Sequence, residues 1–201
     1  LPGTQTKSLR CGRLFTADLE MYRVVSPDVS ITGRNLAQAA GPAIGPLVAA
    51  ATATSSSRFV RPLVGLARFS DEALLCLVDL AERDPEWDSS AQRAIAGRST
   101  EEIEALLLRP EPAVRRQAVR VLAGQSEHAA LERAARDADP SVRVHALAAL
   151  DRVDSVRELA ESPDVVSRRA AVEAIADQRP DVDPWLDMLR KALADPDPDV
   201  R

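Results

Sequence analysis

Apolar residues recur at helical spacing through most of the chain, in short segments that open with a proline. In the segment that starts at Pro112, the residues Val114, Ala118, Val121 and Leu122 share one helix face. An Asp, Glu or Ser precedes the proline, and its oxygen is suited to cap the amides of a first helical turn. Each segment therefore predicts a helix with a narrow core stripe, whose central alanine lets neighbouring helices approach closely.

This segment is repeated along the chain with a period of about 27 residues. Copies open at Pro85, Pro112 and Pro140, and a fifth opens at Pro198. The fourth copy has an irregular start, for which Ser162 followed by Pro163 is the predicted cap. A repeat of this length that contains one helix has room for a second.

A second set of helices is predicted between these segments. Ser99 and Glu102 form a capping-box pattern before one of them, and Ser155 with Glu158 repeats the pattern. Asp183 opens a third, whose inward residues are predicted to be Trp185, Leu186, Met188, Leu189 and Leu193. The repeated unit is therefore helix, turn, helix, and each unit needs a neighbour to cover its apolar stripe.

The runs Asp139-Pro140-Ser141-Val142-Arg143 and Asp197-Pro198-Asp199-Val200-Arg201 resemble the signature of bacterial HEAT-like repeats, the short type also found in phycobilin lyases. The resemblance implies an all-α protein, with a right-handed α-solenoid of two-helix repeats over residues 58–201. The leucine-rich variant repeat shares the same Asp-Pro-x-x-Val-Arg feature and is the alternative architecture. Such repeats serve scaffolds, regulators, lyases and DNA glycosylases, so the resemblance predicts the fold better than the function.

Residues 1–57 do not follow the period and are predicted to be a non-repeat N-terminal extension. Residues 35–57 carry no charge and are long enough to cross a bilayer. Their weak hydrophobicity, Pro42 and Pro46 instead favour a linker or a helix packed on the first repeat, without a membrane span. Residues 13–25 and 29–32 fit either short strands or a helix.

Composition supports an all-helical interpretation, because hydrophobic residues make up 45% and aromatic residues only 3%. Residues 81–201 carry 18 basic and 25 acidic side chains, an acidic balance that argues against a nucleic-acid partner. Cys11 and Cys76 are too few and too far apart for a disulfide framework or a metal-ligand pattern. A reducing cytoplasm is the simplest location.

An arginine lies three residues after the proline in several copies, and the irregular fourth copy has one at the corresponding position. These residues are Arg115, Arg143, Arg168 and Arg201. They fit two interpretations: an anion-binding ladder, or charge pairs with acidic residues at helix starts that tie one repeat to the next. We predict the second, which is also what the resemblance implies.

Positions two and six residues after the first member of each stripe point away from the predicted core. They are Ser89, Arg93, Arg116, Arg120, Val144, Ala148, Arg169 and Glu173. In HEAT-like solenoids the first helix of each unit lines the concave face, so these positions form the candidate binding surface. The predicted partner-binding residues are Arg93, Arg116, Arg120, Val144, Arg169 and Glu173. Charge reversal at Arg116 and Arg120 together is expected to weaken partner binding and leave the melting temperature unchanged.

Candidate chemistry is sparse in the sequence. His128 and His145 are the only histidines, and neither has a Cys, Ser or carboxylate at metal-ligand or triad spacing. No catalytic residue, cofactor or metal site is predicted. The sequence therefore predicts a non-enzymatic module that binds a protein or peptide. The alternative is an enzyme of the HEAT-like DNA glycosylase type, which needs a basic concave track and aromatic side chains to support an extruded base. Trp87 is predicted at a core position, and Trp185 starts a helix beside Asp183 and Asp187, so neither favours this alternative.

The last residues open another unit, which predicts that the repeat array is incomplete at residue 201. Val200, Trp185, Leu189 and Leu193 are expected to be uncovered there. An exposed apolar end predicts a further helix pair or self-association through this end.

Overall fold

A computed structural model describes residues 44–54, 57–177 and 183–201, and every regular element in these ranges is helical. The α-helices are α1 (residues 44–54), α2 (Ser57–Leu66), α3 (Asp71–Arg83), α4 (Asp88–Ala96), α5 (Thr100–Leu106), α6 (Pro112–Gln125), α7 (His128–Ala134), α8 (Pro140–Ala149), α9 (Val153–Ala160), α10 (Val165–Asp177) and α11 (Asp183–Ala192). A 3₁₀ turn, Pro85–Trp87, precedes α4. The all-α prediction is confirmed for these residues. The segments 13–25 and 29–32 lie outside them.

The chain divides into two compact units after Leu80. In the first unit, the Thr52 hydroxyl of α1 lies 3.7 Å from the Cys76 thiol of α3. Cys76 is buried among apolar neighbours, as its sequence context predicted. None of the described helices is both long enough and apolar enough to cross a membrane. A boundary between compact units does not show where a repeat begins. The predicted start of the repeats at residue 58 therefore stays a prediction.

In the second unit, the helices alternate between two sets. The first helices are α4, α6, α8 and α10, and each packs against the next in the series. The second helices are α5, α7, α9 and α11, which pack against the first helices beside them. Ala118 on α6 and Ala146 on α8 are completely buried. Their burial confirms that both alanines belong to the predicted core stripe.

Several helix starts agree with the sequence. Ser99 and Glu102 form a complete capping box at α5. One carboxylate oxygen of Asp139 accepts hydrogen bonds from the Ser141 and Val142 amides at the start of α8. The Asp84 carboxylate caps the 3₁₀ turn in the same way, through the Glu86 amide.

Two predicted caps are wrong. Helix α10 starts at Val165, and its cap is Asp164, whose carboxylate accepts from the Ser167 amide at 2.9 Å. Ser162 instead forms a turn before the helix. Ser155 and Glu158 lie inside α9, which starts at Val153 without a side-chain cap. Both errors arise because the third copy is short, which moves helix starts relative to the period.

The turns after α6 and α8 have the same geometry. Ser126 after α6 and Asp151 after α8 both have left-handed backbone, with φ of 59° and 53°. In each turn the next amide returns to the helix: Glu127 donates to the Leu122 carbonyl, and Arg152 donates to the Leu147 carbonyl. These two turns therefore share one backbone conformation, although neither position is glycine.

The expectation of an uncovered apolar surface near residue 201 is largely wrong. Val200 and Trp185 are buried, and Leu189 packs partly against the core formed by α8–α11. Leu193 was predicted to face inward but is 70% exposed, because α11 ends at Ala192. The core here consists of Val144, Ala148, Val156, Ala170, Ala171, Ala174, Ile175, Trp185 and Met188.

Candidate functional site on the row of first helices

The repeated arginines join consecutive units. Nε and Nη2 of Arg115 donate to the two carboxylate oxygens of Asp137, at 2.8 and 2.9 Å. Arg168 makes the same forked contact with Asp195, at 2.8 and 3.1 Å. These four side chains are mostly buried. Arg115 and Arg168 therefore form charge pairs, as predicted, but the prediction that the acidic partner stands at a helix start is wrong, because Asp137 and Asp195 lie in loops that follow a second helix.

The remaining nitrogen of each arginine binds backbone in the loop before its own helix. Nη1 of Arg115 donates to the carbonyls of residues 109 and 110, and Nη1 of Arg168 to those of residues 162 and 163. Arg143 and Arg201 repeat this backbone contact, through the carbonyls of residues 137 and 138 and of residues 195 and 196. The guanidinium group therefore satisfies carbonyls of the loop that leads into each first helix.

In the Arg115–Asp137 pair the pKa of the aspartate is lowered and the pKa of the arginine is raised. Burial alone raises the pKa of Asp137, but hydrogen bonds from Arg115 and from the Asp139 amide outweigh burial and lower it. The hydrogen bond to Asp137 raises the pKa of Arg115. Both directions favour the charged forms, as expected for a structural ion pair.

A second set of polar contacts crosses the outward side of the first helices. Nη1 of Arg120, on α6, donates to both carboxylate oxygens of Asp88 on α4, at 2.9 and 3.0 Å. Nη2 of Arg120 lies 2.5 Å from a carboxylate oxygen of Asp177 at the end of α10. Gln117 also donates to Asp88. One arginine thus connects three first helices, although α8 lies between α6 and α10.

His145 of α8 completes this network under Arg120 and is only 1% exposed. Its Nδ1 lies 2.7 Å from the Ser141 carbonyl, and a carbonyl can only accept, so Nδ1 carries a proton. Its Nε2 lies 3.3 Å from Nη2 of Arg120 and 3.2 Å from the Asp177 carboxylate. In the neutral ring Nε2 accepts from Arg120, and in the protonated ring it donates to Asp177.

The Asp177 carboxylate is contacted by both Arg120 and His145. Burial alone raises its pKa, but the hydrogen bond with His145 and the charge of Arg120 outweigh burial and hold the pKa below its ordinary value. We name this set, Asp88, Gln117, Arg120, His145 and Asp177, the polar bridge. It braces the first helices on the side that the sequence assigned to a partner.

The structure separates the predicted partner-binding residues into three groups. Val144 is wrong as a surface residue, because it is completely buried between α8 and α10, and Ala148 is buried with it. Arg116 and Arg120 are each only 16% exposed at the side chain. Arg116 pairs with Glu82 and donates to the Ser141 hydroxyl at 3.3 Å. Both arginines are therefore already engaged within the chain.

The other predicted residues lie on the surface. Arg93 is exposed on α4, as is Ser89. Arg169 and Glu173 pair with each other along α10 at 3.0 Å, and both side chains retain access to water. The structure brings Arg120 together with residues that sequence reasoning missed, while Arg93 and the Arg169–Glu173 pair belong to separate helices.

Sequence reasoning missed Asp88, His145 and Asp177 as members of one site. A signal was present, because Asp177 occupies the place that Gly97 and Gly124 hold in earlier copies. A carboxylate that replaces glycine at a helix end has reach over the adjacent helix. His128 has no comparable environment: it is exposed and contacts the Ser126 carbonyl in a turn.

Within the described ranges, no group of three or more His, Cys, Asp or Glu side chains has the geometry to hold a metal ion. The chain matches no protein-family model. It also matches no curated protein and no solved structure.

Proposed function

We propose that the second unit is a short α-solenoid of HEAT-like repeats that presents its row of first helices, as a concave surface, to a protein or peptide partner. The observation that carries this proposal is the reach of Arg120 from Asp88 on α4 to Asp177 on α10. Arg120 of α6 and Asp177 of α10 thus meet across α8. Such a contact is expected where the row of first helices curves inward. Repeat arrays use such concave rows as extended binding surfaces.

The ion pairs support a rigid, preorganised surface. The polar bridge braces the first helices, and a separate series joins second helices through Arg133–Glu104, Arg152–Glu132 and Lys191–Glu161. A surface held in place before binding loses little conformational entropy when the partner docks. The exposed residues Arg93, Arg169 and Glu173 then supply contacts, while Arg116 and Arg120 position the helices.

The alternative of a DNA glycosylase is disfavoured by the tryptophans. Trp87 and Trp185 are both buried in the core, so neither side chain is placed to stack on an extruded base. The acidic balance of residues 81–201 also repels a phosphate backbone.

Photo-crosslinking tests the proposal. A benzoylphenylalanine is introduced singly at Arg93 or Arg169 on the first helices, and at exposed Glu101 or Glu158 on the second helices as matched controls. We expect one protein to be crosslinked from the first-helix positions only, and to bind the purified chain with a measurable Kd. Crosslinks from the second helices alone would contradict the proposed surface. Salt-sensitive duplex DNA binding with base excision would favour the alternative.

A further inference from the structure

The position six residues before Arg143, Arg168 and Arg201 has a constant local structure. Its backbone carbonyl accepts from Nη1 of that arginine, and its side-chain oxygen accepts from the amide two residues later. The carbonyl distances are 2.7 Å at Asp137, 3.0 Å at Ser162 and 2.6 Å at Asp195. The side-chain distances are 2.8, 3.2 and 2.9 Å in the same order. Ser162 is therefore the structural equivalent of the two aspartates.

The chemistry at this position differs between copies. Asp137 receives the guanidinium fork of Arg115, and Asp195 receives that of Arg168. The same pairing rule directs Arg143 at Ser162, which has no carboxylate. Within the described ranges, Arg143 donates only through Nη1 to backbone, so its Nε and Nη2 have no acceptor. Arg143 is also partly exposed.

Neighbouring carboxylates do not fill this position, because each has partners of its own. Asp137 is held by Arg115 and by the Asp139 amide. Asp139 caps α8, and Asp164 is held by the amide and hydroxyl of Ser167. Of the three repeated arginines on α6, α8 and α10, Arg143 is therefore the one whose Nε and Nη2 have no carboxylate partner among the described residues.

We propose that Arg143 and Ser162 form a binding site for a carboxylate, supplied by an Asp or Glu side chain of the protein partner. Nη1 is fixed by two carbonyls, so Nε and Nη2 are preoriented for a bidentate contact. The Ser162 hydroxyl accepts from the Asp164 amide and keeps its own proton to donate. The Arg115–Asp137 and Arg168–Asp195 pairs give the expected geometry, with both nitrogens near 2.9 Å from the carboxylate oxygens.

Only the source of the carboxylate, a protein partner, rests on the proposed function. The site itself is therefore tested separately, with a small carboxylate. The Nε–H resonances of Arg143 and Arg115 are followed by NMR in the full chain while acetate is added at constant ionic strength with chloride. We expect the Arg143 signal to shift in a saturable way, and the Arg115 signal to stay in place because its fork is filled. Equal shifts at both arginines, or none at Arg143, would overturn the site.

Inorganic phosphate is the second arm of the same experiment. Acetate is expected to perturb Arg143 at least as strongly as phosphate at matched ionic strength, since the sibling positions hold carboxylates. A stronger response to phosphate would show that the carboxylate assignment is wrong. A positive acetate result without any crosslinked protein would leave the site in place and remove the proposed function.

A variant fills the site from within the chain. Ser162→Asp recreates the sibling pair and is expected to raise the melting temperature by about 2–4 °C and to abolish the acetate response of Arg143. The increase should disappear when Arg143→Gln is present in both members of the comparison. An increase that persists without Arg143, or an acetate response that survives Ser162→Asp, would contradict the pairing.

Discussion

Arg120 and Asp177 form an ion pair, with Nη2 2.5 Å from the carboxylate oxygen, although a whole helix lies between α6 and α10. The pair passes over His145, which contacts both side chains. The guanidinium group of Arg120 on α6 thereby contacts side chains of α4, α8 and α10. The predictions below test this network and the packing beneath it.

Replacement of Arg120 with Met is expected to lower the unfolding free energy by about 1–2 kcal/mol. It leaves Asp88, Asp177 and His145 without their shared partner, although both carboxylates keep some access to water. Urea denaturation measures the change, and Arg169→Met is the matched control, with a cost of about 0.5 kcal/mol or less because its pair is exposed. Equal losses would show that the polar bridge adds nothing. Charge reversal at Arg116 and Arg120 is likewise now expected to destabilise the fold.

Acid is expected to weaken the ties between repeats. The pKa of Asp137 is lowered in the folded chain, because Arg115 and the Asp139 amide outweigh burial. Its stabilising contribution is complete above the pKa of an unfolded aspartate, about 3.9, and is lost as pH falls from there through the lower folded pKa. Asp137→Asn should reduce the unfolding free energy at pH 7 and flatten its fall below pH 4. A variant with the parent's acid profile would contradict this role.

Ala146→Leu is expected to cost about 1–3 kcal/mol, since the alanine is completely buried and a larger side chain overpacks the core. Ala129→Leu on α7 is the control, because Ala129 is exposed. Thermal melts of the two variants should differ clearly. A melt of Ala146→Leu equal to the parent's would place the core stripe elsewhere.

At the end of α6, substitutions at Gly124 and at Ser126 are each expected to stabilise the fold. Gly124 is helical, and a methyl group there has no neighbour within 4 Å, so Gly124→Ala should stabilise by about 0.5–1 kcal/mol. Ser126 is left-handed at φ 59°, so Ser126→Gly should stabilise by up to about 1 kcal/mol. Ser126→Ala, which lacks glycine's freedom, is the control and should not stabilise. Denaturant melts of all three variants test both assignments.

Local patterns in the sequence were sufficient for the helices and their core stripe. The capping box at Ser99 and the cap at Asp139 depend on residues within one turn of each other, and the helical period places Ala118 and Ala146 on the core stripe. Such features follow from backbone hydrogen bonding and the 3.6-residue period, so they are visible without the fold. The start of the fourth copy was an exception, because the cap of α10 is Asp164 and not Ser162.

Tertiary packing decided which outward positions are surface. Val144 and Arg116 occupy the same place in their helices, yet Val144 is buried and Arg116 forms an ion pair. The period indicates only the side of a residue's own helix, whereas burial depends on the neighbour. Ala170 and Ala174 of α10 lie against Val144 in one core, since their small side chains let the helices approach. The pairing of Arg120 with Asp88 and Asp177 also depends on the distances between helices, which no spacing along the chain encodes.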